Sequence, residues 1–170
     1  MIKKDQNQMF EEMYHLQNCE LAMGEYYNEL ARKFPEERFF WEEAVADEIN
    51  HARIAGKLIA LVSSNINRFG LGKYRVELLK TFLDGIYNNV QAIKANKIDR
   101  LEILRIAMDY ETSFVESRPY DIVISLDIEF QNFKDTYAQE LSEHTQRLKS
   151  YIKQKIELIS TKPIIRNTIE

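Results

Sequence analysis

Four long segments of this chain place an apolar residue at every third or fourth position, a spacing that only a helix turns into one continuous face. The first runs from about Gln8 to Lys33, with Met13, Leu16, Met23, Tyr27, Leu30 and Phe34 in its stripe. The second opens at Pro35, which suits a first helical position, and Glu36 and Glu37 suit the positive end of its dipole. Its stripe is Phe40, Ala44, Ala55, Leu58 and Val62, and it ends near Ser64, ahead of Gly70 and Gly72. The third starts near Asp99 as cap, carries Ile103 or Leu104, Met108 and Phe114, and is ended or kinked by Pro119. The fourth runs from about Asp127 to Leu158 through Phe130, Phe133, Tyr137, Leu141, Leu148 and Tyr151. Between the second and third, residues 74–96 form a further helix inside a long crossover.

Gly and Pro together number eight in 170 residues, so little interrupts these helices. The expectation is an all-α fold in one domain over residues 1–170, long enough to bury a full core, with an irregular C-terminal tail from about 159. A net charge of −4 argues against a nucleic-acid partner, which needs clustered positive charge. The basic run "RLKSYIKQK" is broken by apolar residues at helical spacing and reads as a solvated helix side. Cys19 is the one cysteine, which excludes an internal disulfide and a Cys-x-x-Cys metal site and reads as a packed thiol. The start "MIKKDQNQMFEE" has no apolar leader core and no apolar run reaches membrane length, so the expectation is a cytoplasmic protein without a membrane partner.

The stripes also contain ionisable residues where a core needs none. Glu20 sits in the first, Glu48 and His51 in the second, Glu111 in the third and His144 in the fourth. A single Glu-x-x-His pair is common on solvated helices, and a lone histidine on an apolar face is more often a hydrogen-bonded core residue. Register is what links these five. Glu20 lies 15 residues before Pro35, and Glu48 and His51 lie 13 and 16 after it. In an antiparallel hairpin they therefore share one height, about 20 Å from the turn at about 1.5 Å per residue. The second half repeats the spacing: Glu20 to His51 is 31 residues and Glu111 to His144 is 33.

Several buried carboxylates at one level repel each other and need protons, water or a cation. Carboxylates with imidazoles suit iron or manganese. A Glu from each of two helices plus Glu-x-x-His from each of the other two is the di-metal pattern of a four-helix bundle.

The residues that carry this pattern resemble the rubrerythrin-like branch of the ferritin-like superfamily. "ELAMGEYYNELA" is similar to that branch's first helix, with Glu20, Tyr27, Leu30 and Ala31 in place. "ADEINH" resembles its Ala-x-Glu-x-x-His, "AMDYE" supplies Ala107 and Glu111, and "AQELSEH" keeps Ala138 and His144. The likeness spans about residues 8–155 and implies a ferritin-like four-helix bundle with an extra helix in the crossover between helices 2 and 3. It implies one metal on Glu20 and His51, a second on Glu111 and His144, and Glu48 bridging them.

Two departures stand out. Leu141 occupies the place of the family's last bridging glutamate, and its neighbour Glu140, about 100° round the helix, reads as solvated. The single cysteine leaves no rubredoxin-type domain, so turnover needs an external reductant. The resemblance implies a di-iron centre, with manganese as another candidate, that oxidises ferrous iron with peroxide or O2, in a homodimer. The competing reading is a degenerate bundle with one ion or none, serving as a binding or structural protein. Tyr27, Tyr110 and Tyr137 read as packing aromatics near the site.

Overall fold

The computed structural model describes residues 2–73 and 76–161. Among the described residues the fold is all-α, with five helices: α1 (Ile2–Lys33), α2 (Arg38–Ser64), α3 (Val76–Lys94), α4 (Arg100–Ser117) and α5 (Ile128–Thr161). Two strands of two residues, β1 (Gly70–Leu71) and β2 (Val123–Ile124), pair antiparallel with Gly70 opposite Ile124.

Each helix ends where its local chemistry directs. Phe34 leaves the helical region (φ −123°, ψ 74°) because the ring of Pro35 crowds it, and residues Pro35–Glu37 make a 3-10 turn into α2. Asn96 closes α3 with a φ of 53°, and the Lys97 and Asn96 amides donate back to the Ala92 and Ile93 carbonyls. Asp99 caps α4 by accepting the Glu102 amide at 2.9 Å. Arg118, at φ 53°, ends α4 ahead of Pro119. Asp127 accepts the Glu129 amide at 2.9 Å at the start of α5. Gly72 lies so close to the Asp121 carbonyl that a Cβ there would stand 1.8 Å away, so the crossing beside the two strands requires glycine.

Three expectations need adjusting. The first helix begins earlier than Gln8. The chain stays helical through Ile159, Ser160 and Thr161, where an irregular tail was expected; the rest of that tail lies outside the described residues, as do Tyr74 and Arg75 of the crossover segment. Glu37 is not simply a dipole partner: it is buried, with Arg100 Nη2 at 2.6 Å, Lys155 Nζ at 2.9 Å and the Trp41 indole N–H donating to it at 3.3 Å. One carboxylate thus ties the α1–α2 turn to α4 and α5.

The core is divided in two. One apolar cluster holds Tyr27 and Leu30 of α1, Trp41 and Ala44 of α2, and Ile103 of α4 with Leu148 of α5. The other holds Met13 and Leu16 of α1, Ala55 and Leu58 of α2, and Phe114 of α4 with Leu141 of α5. On each of these four helices the crossing from one cluster to the other falls at a buried Glu or His: Glu20, Glu48 with His51, Glu111, and His144. The order of the crossings also gives direction. The helices α1 and α5 run from the second cluster to the first, while α2 and α4 run the opposite way. Two parallel helices, α2 and α4, need a long connection, and α3 supplies it while packing against α1.

Candidate metal centre

The polar layer brings all five sequence-predicted residues together. Glu20, Glu48 and His51 offer ligand atoms that lie within 4.8 Å of one another, and so do Glu48, Glu111 and His144. Glu48 belongs to both groups. His51 Nδ1 stands 3.2 Å from Glu48 Oε2 and 3.8 Å from Glu20 Oε2. His144 Nε2 stands 2.9 Å from Glu48 Oε1 and 3.3 Å from Glu111 Oε1. The two imidazole rings are 5.1 Å apart and nearly perpendicular.

The surroundings hold these groups in place. The Tyr27 hydroxyl donates to Glu111 Oε1 at 2.5 Å, and the Thr145 hydroxyl donates to its other oxygen at 2.8 Å. The Tyr137 hydroxyl donates to Glu20 Oε1. His144 Nδ1 lies 3.0 Å from Asp47 Oδ2, which also takes the Arg147 guanidinium. With Nδ1 held by the Asp47 carboxylate, the ring is fixed so that its Nε2 points at Glu48 and Glu111.

The charges show how the protein stands without a cation. Burial raises the Glu20 carboxyl well above its ordinary range, and nearby Glu48 adds to this. Burial also opposes ionisation of Glu48, but the adjacent His144 and His51 rings outweigh it and hold that carboxyl well below the usual range. For His144, burial would depress the ring, yet the carboxylates of Asp47, Glu111 and Glu48 raise it to about 12. The shifts on Glu20 and His144 both run toward the protonated form, which lowers the negative charge of the layer.

The donor set fits a metal. It supplies three carboxylates and two imidazoles, the hard-to-borderline mixture that divalent iron and manganese take. His144 Nε2 is buried and aimed into the layer, 2.9 Å from Glu48 Oε1 and 3.3 Å from Glu111 Oε1 but out of line for a hydrogen bond to either. A nitrogen so placed beside two carboxylates stands where a ligating imidazole would.

Other residues fall outside the site. Leu141 is buried one turn before His144, in the apolar cluster. Glu140 is half-buried and accepts the Asn50 amide at 2.8 Å, outside both ligand groups. His15 lies 3.9 Å from Glu11, five residues before Glu20 and in neither ligand group. Cys19 is buried with its Sγ 3.6 Å from the Leu79 carbonyl, and burial raises its thiol to about 12, as expected of a packed cysteine.

Sequence reasoning missed Asp47, Thr145 and the hydrogen-bonding roles of Tyr27 and Tyr137. A signal for Asp47 was available: a liganding imidazole needs an acceptor for its second ring nitrogen, and Asp47 adjoins Glu48 in "DEINH".

No protein-family model, curated protein or solved structure matches the chain. Among the described residues, no helix is long and apolar enough to cross a membrane.

Proposed function

We propose that this chain is a ferritin-like bundle of the rubrerythrin-like kind that binds two divalent metal ions, iron foremost, and oxidises ferrous iron with peroxide or O2. The observation that carries the reading is the sharing of Glu48 by two ligand groups drawn from four helices. The parallel run of α2 and α4, joined through α3, supports the topology. Glu20 and His51 would hold one ion, Glu111 and His144 the other, and Glu48 would bridge. The external oxidant and reductant, and assembly as a homodimer, belong to the same proposal.

Iron bound there supplies one electron per ion, and two electrons with two protons convert one peroxide to two waters. The chain's own residues prepare that reaction. Tyr137 orients Glu20, Tyr27 and Thr145 orient Glu111, and Asp47 fixes the ring of His144. The apolar clusters on either side keep bulk water away, which strengthens each electrostatic contact inside.

A second reading rests on Leu141. Three carboxylates offset three of the four charges on two divalent ions, so the bundle would hold one ion tightly and act in binding alone. Anaerobic loading with Fe2+ followed by a peroxide pulse separates the two. The di-metal reading expects oxidation of two ferrous ions per peroxide at a rate that vanishes in Glu48→Ala. Oxidation no faster than that of free Fe2+ in buffer sinks it.

A further inference from the structure

We infer that the polar cleft between α2 and α5 is the port through which a divalent cation reaches the ligands, with Glu143 as its outer attracting charge and Arg147 as its barrier. The inference rests on the di-metal reading above.

The cleft is a cavity of about 230 Å3 whose floor is His51 and His144 and whose walls include Asp47, Glu143 and Arg147. Two of the five ligands therefore line a solvent-facing cavity. Along the helix axes the ligand layer is closed by apolar side chains, Tyr27 and Trp41 toward one end and Leu16 and Leu141 toward the other. A hydrated dication cannot cross such packing without losing its water uncompensated. The cleft instead offers oxygen atoms along the way. Its outer part adjoins a wider cavity of about 340 Å3, which shares Asn50 and Glu140 with it.

The mouth is closed by polar links rather than by packing. Asn50 donates to Glu140 across the two helices at 2.8 Å, and Arg147 of α5 pairs with Asp47 of α2. The Arg147–Asp47 pair is solvent-exposed, and exposed ion pairs are weak and exchange with water. Behind them, Asp47 touches one nitrogen of His144 while the other nitrogen faces Glu48 at 2.9 Å and Glu111 at 3.3 Å. The path from the last cleft carboxylate to the ligand layer is one imidazole thick.

Charge sets the direction of the test. Glu143 is exposed at the mouth, its carboxylate bonded only to the Gln139 side chain on its own helix among the described residues. Arg147 carries a positive charge 3.4 Å from His144 Nδ1, where an arriving dication is repelled.

The experiment follows Co2+ uptake by stopped-flow absorption of its ligand-field bands, with the end point giving stoichiometry. Glu143→Lys is compared with Glu157→Lys, which makes the same charge change at an exposed position further along α5. The port expects Glu143→Lys to slow loading about tenfold at low salt, with the gap closing as ionic strength rises. Glu157→Lys should load like the wild type, and Arg147→Ala should load faster. Equal rates in all variants, or equal slowing by the two lysine substitutions, overturn the port while leaving the di-metal reading intact. A wild type that takes up no Co2+ overturns both.

Discussion

Glu48 Oε1 of α2 stands 2.9 Å from His144 Nε2 of α5, while Glu48 Oε2 stands 3.2 Å from His51 Nδ1 on its own helix. One carboxylate therefore faces two imidazoles with different oxygens. That arrangement makes Glu48 the joint between the two halves of the site, and it sets the order of mutational effects.

Removing that joint should abolish tight binding at both positions. Glu48→Ala and His51→Ala should each lose metal affinity by at least about a hundredfold, equivalent to about 2.8 kcal/mol. His15→Ala, outside both ligand groups, should bind like the wild type. Calorimetric titration with Mn2+ checks this, and equal losses in all three variants would show that the ligands are misassigned.

Asp47→Asn tests the support beneath His144. The amide has the same shape but a weaker claim on the Nδ1–H, and Arg147 loses its partner. Loss of such a partner typically weakens a metal site about 10–100-fold. The weakening should fall on the Glu111–His144 position alone, so a two-site titration should show one affinity changed and one kept. Uniform weakening would assign Asp47 a general electrostatic role instead.

Leu141→Glu tests the asymmetry. The ion at Glu111 and His144 should be the weaker in the wild type, because Leu141 leaves an apolar wall where a fourth carboxylate would complete charge neutrality. The substitution should tighten that position and speed peroxide-dependent oxidation of ferrous iron. Without metal it should lower stability by about 3 kcal/mol, since it buries another carboxylate among like charges. For a chain of this length that is a fall of about 6–12 °C in Tm. Unchanged stoichiometry together with unchanged metal-free stability would mean that position 141 does not face the ligands.

Glu12 gives a pH-dependent prediction away from the centre. It is fully buried, its Oε1 accepts the Gln8 amide at 3.0 Å, and its Oε2 has no partner among the described residues. Burial raises its carboxyl above the ordinary value; the Gln8 bond opposes this and Glu77 and Glu11 add to it. A carboxyl raised in the folded state contributes full stability below its unfolded pKa and loses it as pH rises through the folded value. Glu12→Gln should therefore match the wild type near pH 4 and exceed it near pH 8. Thermal unfolding across that range decides it; a gap that is constant with pH would trace the effect to packing.

Much of this was legible because helices convert spacing directly into faces. The stripe Met13, Leu16, Glu20, Met23, Tyr27, Leu30 is buried throughout, and the matched offsets of Glu20, His51, Glu111 and His144 placed them at one level before any coordinates. What escaped depended on which neighbour lies beside each helix. Trp41 and Ile152 are fully buried yet flank the expected stripes by one position, because the turn at Pro35 and the far end of α5 widen the buried face. Asp47 stands outside the expected stripe, about 100° from Glu48, and only the approach of α5 gives it His144. Glu37 looked like a dipole partner because nothing local announces Arg100 and Lys155, far along the chain. The two-residue strands carry too little pattern to be read at all.

Metal content after anaerobic loading and desalting tests the central claim most directly. Wild-type protein incubated with excess Fe2+, stripped of free ion and measured by elemental analysis should carry two irons per chain, with a Tm above that of the metal-free form. In a separate melt with free ion held a hundredfold above each dissociation constant, the gain should approach about 2.7 kcal/mol per site. His144→Ala should carry one and keep part of the gain. No bound iron, an unchanged Tm, or the same iron content in Glu48→Ala as in the wild type would contradict the account.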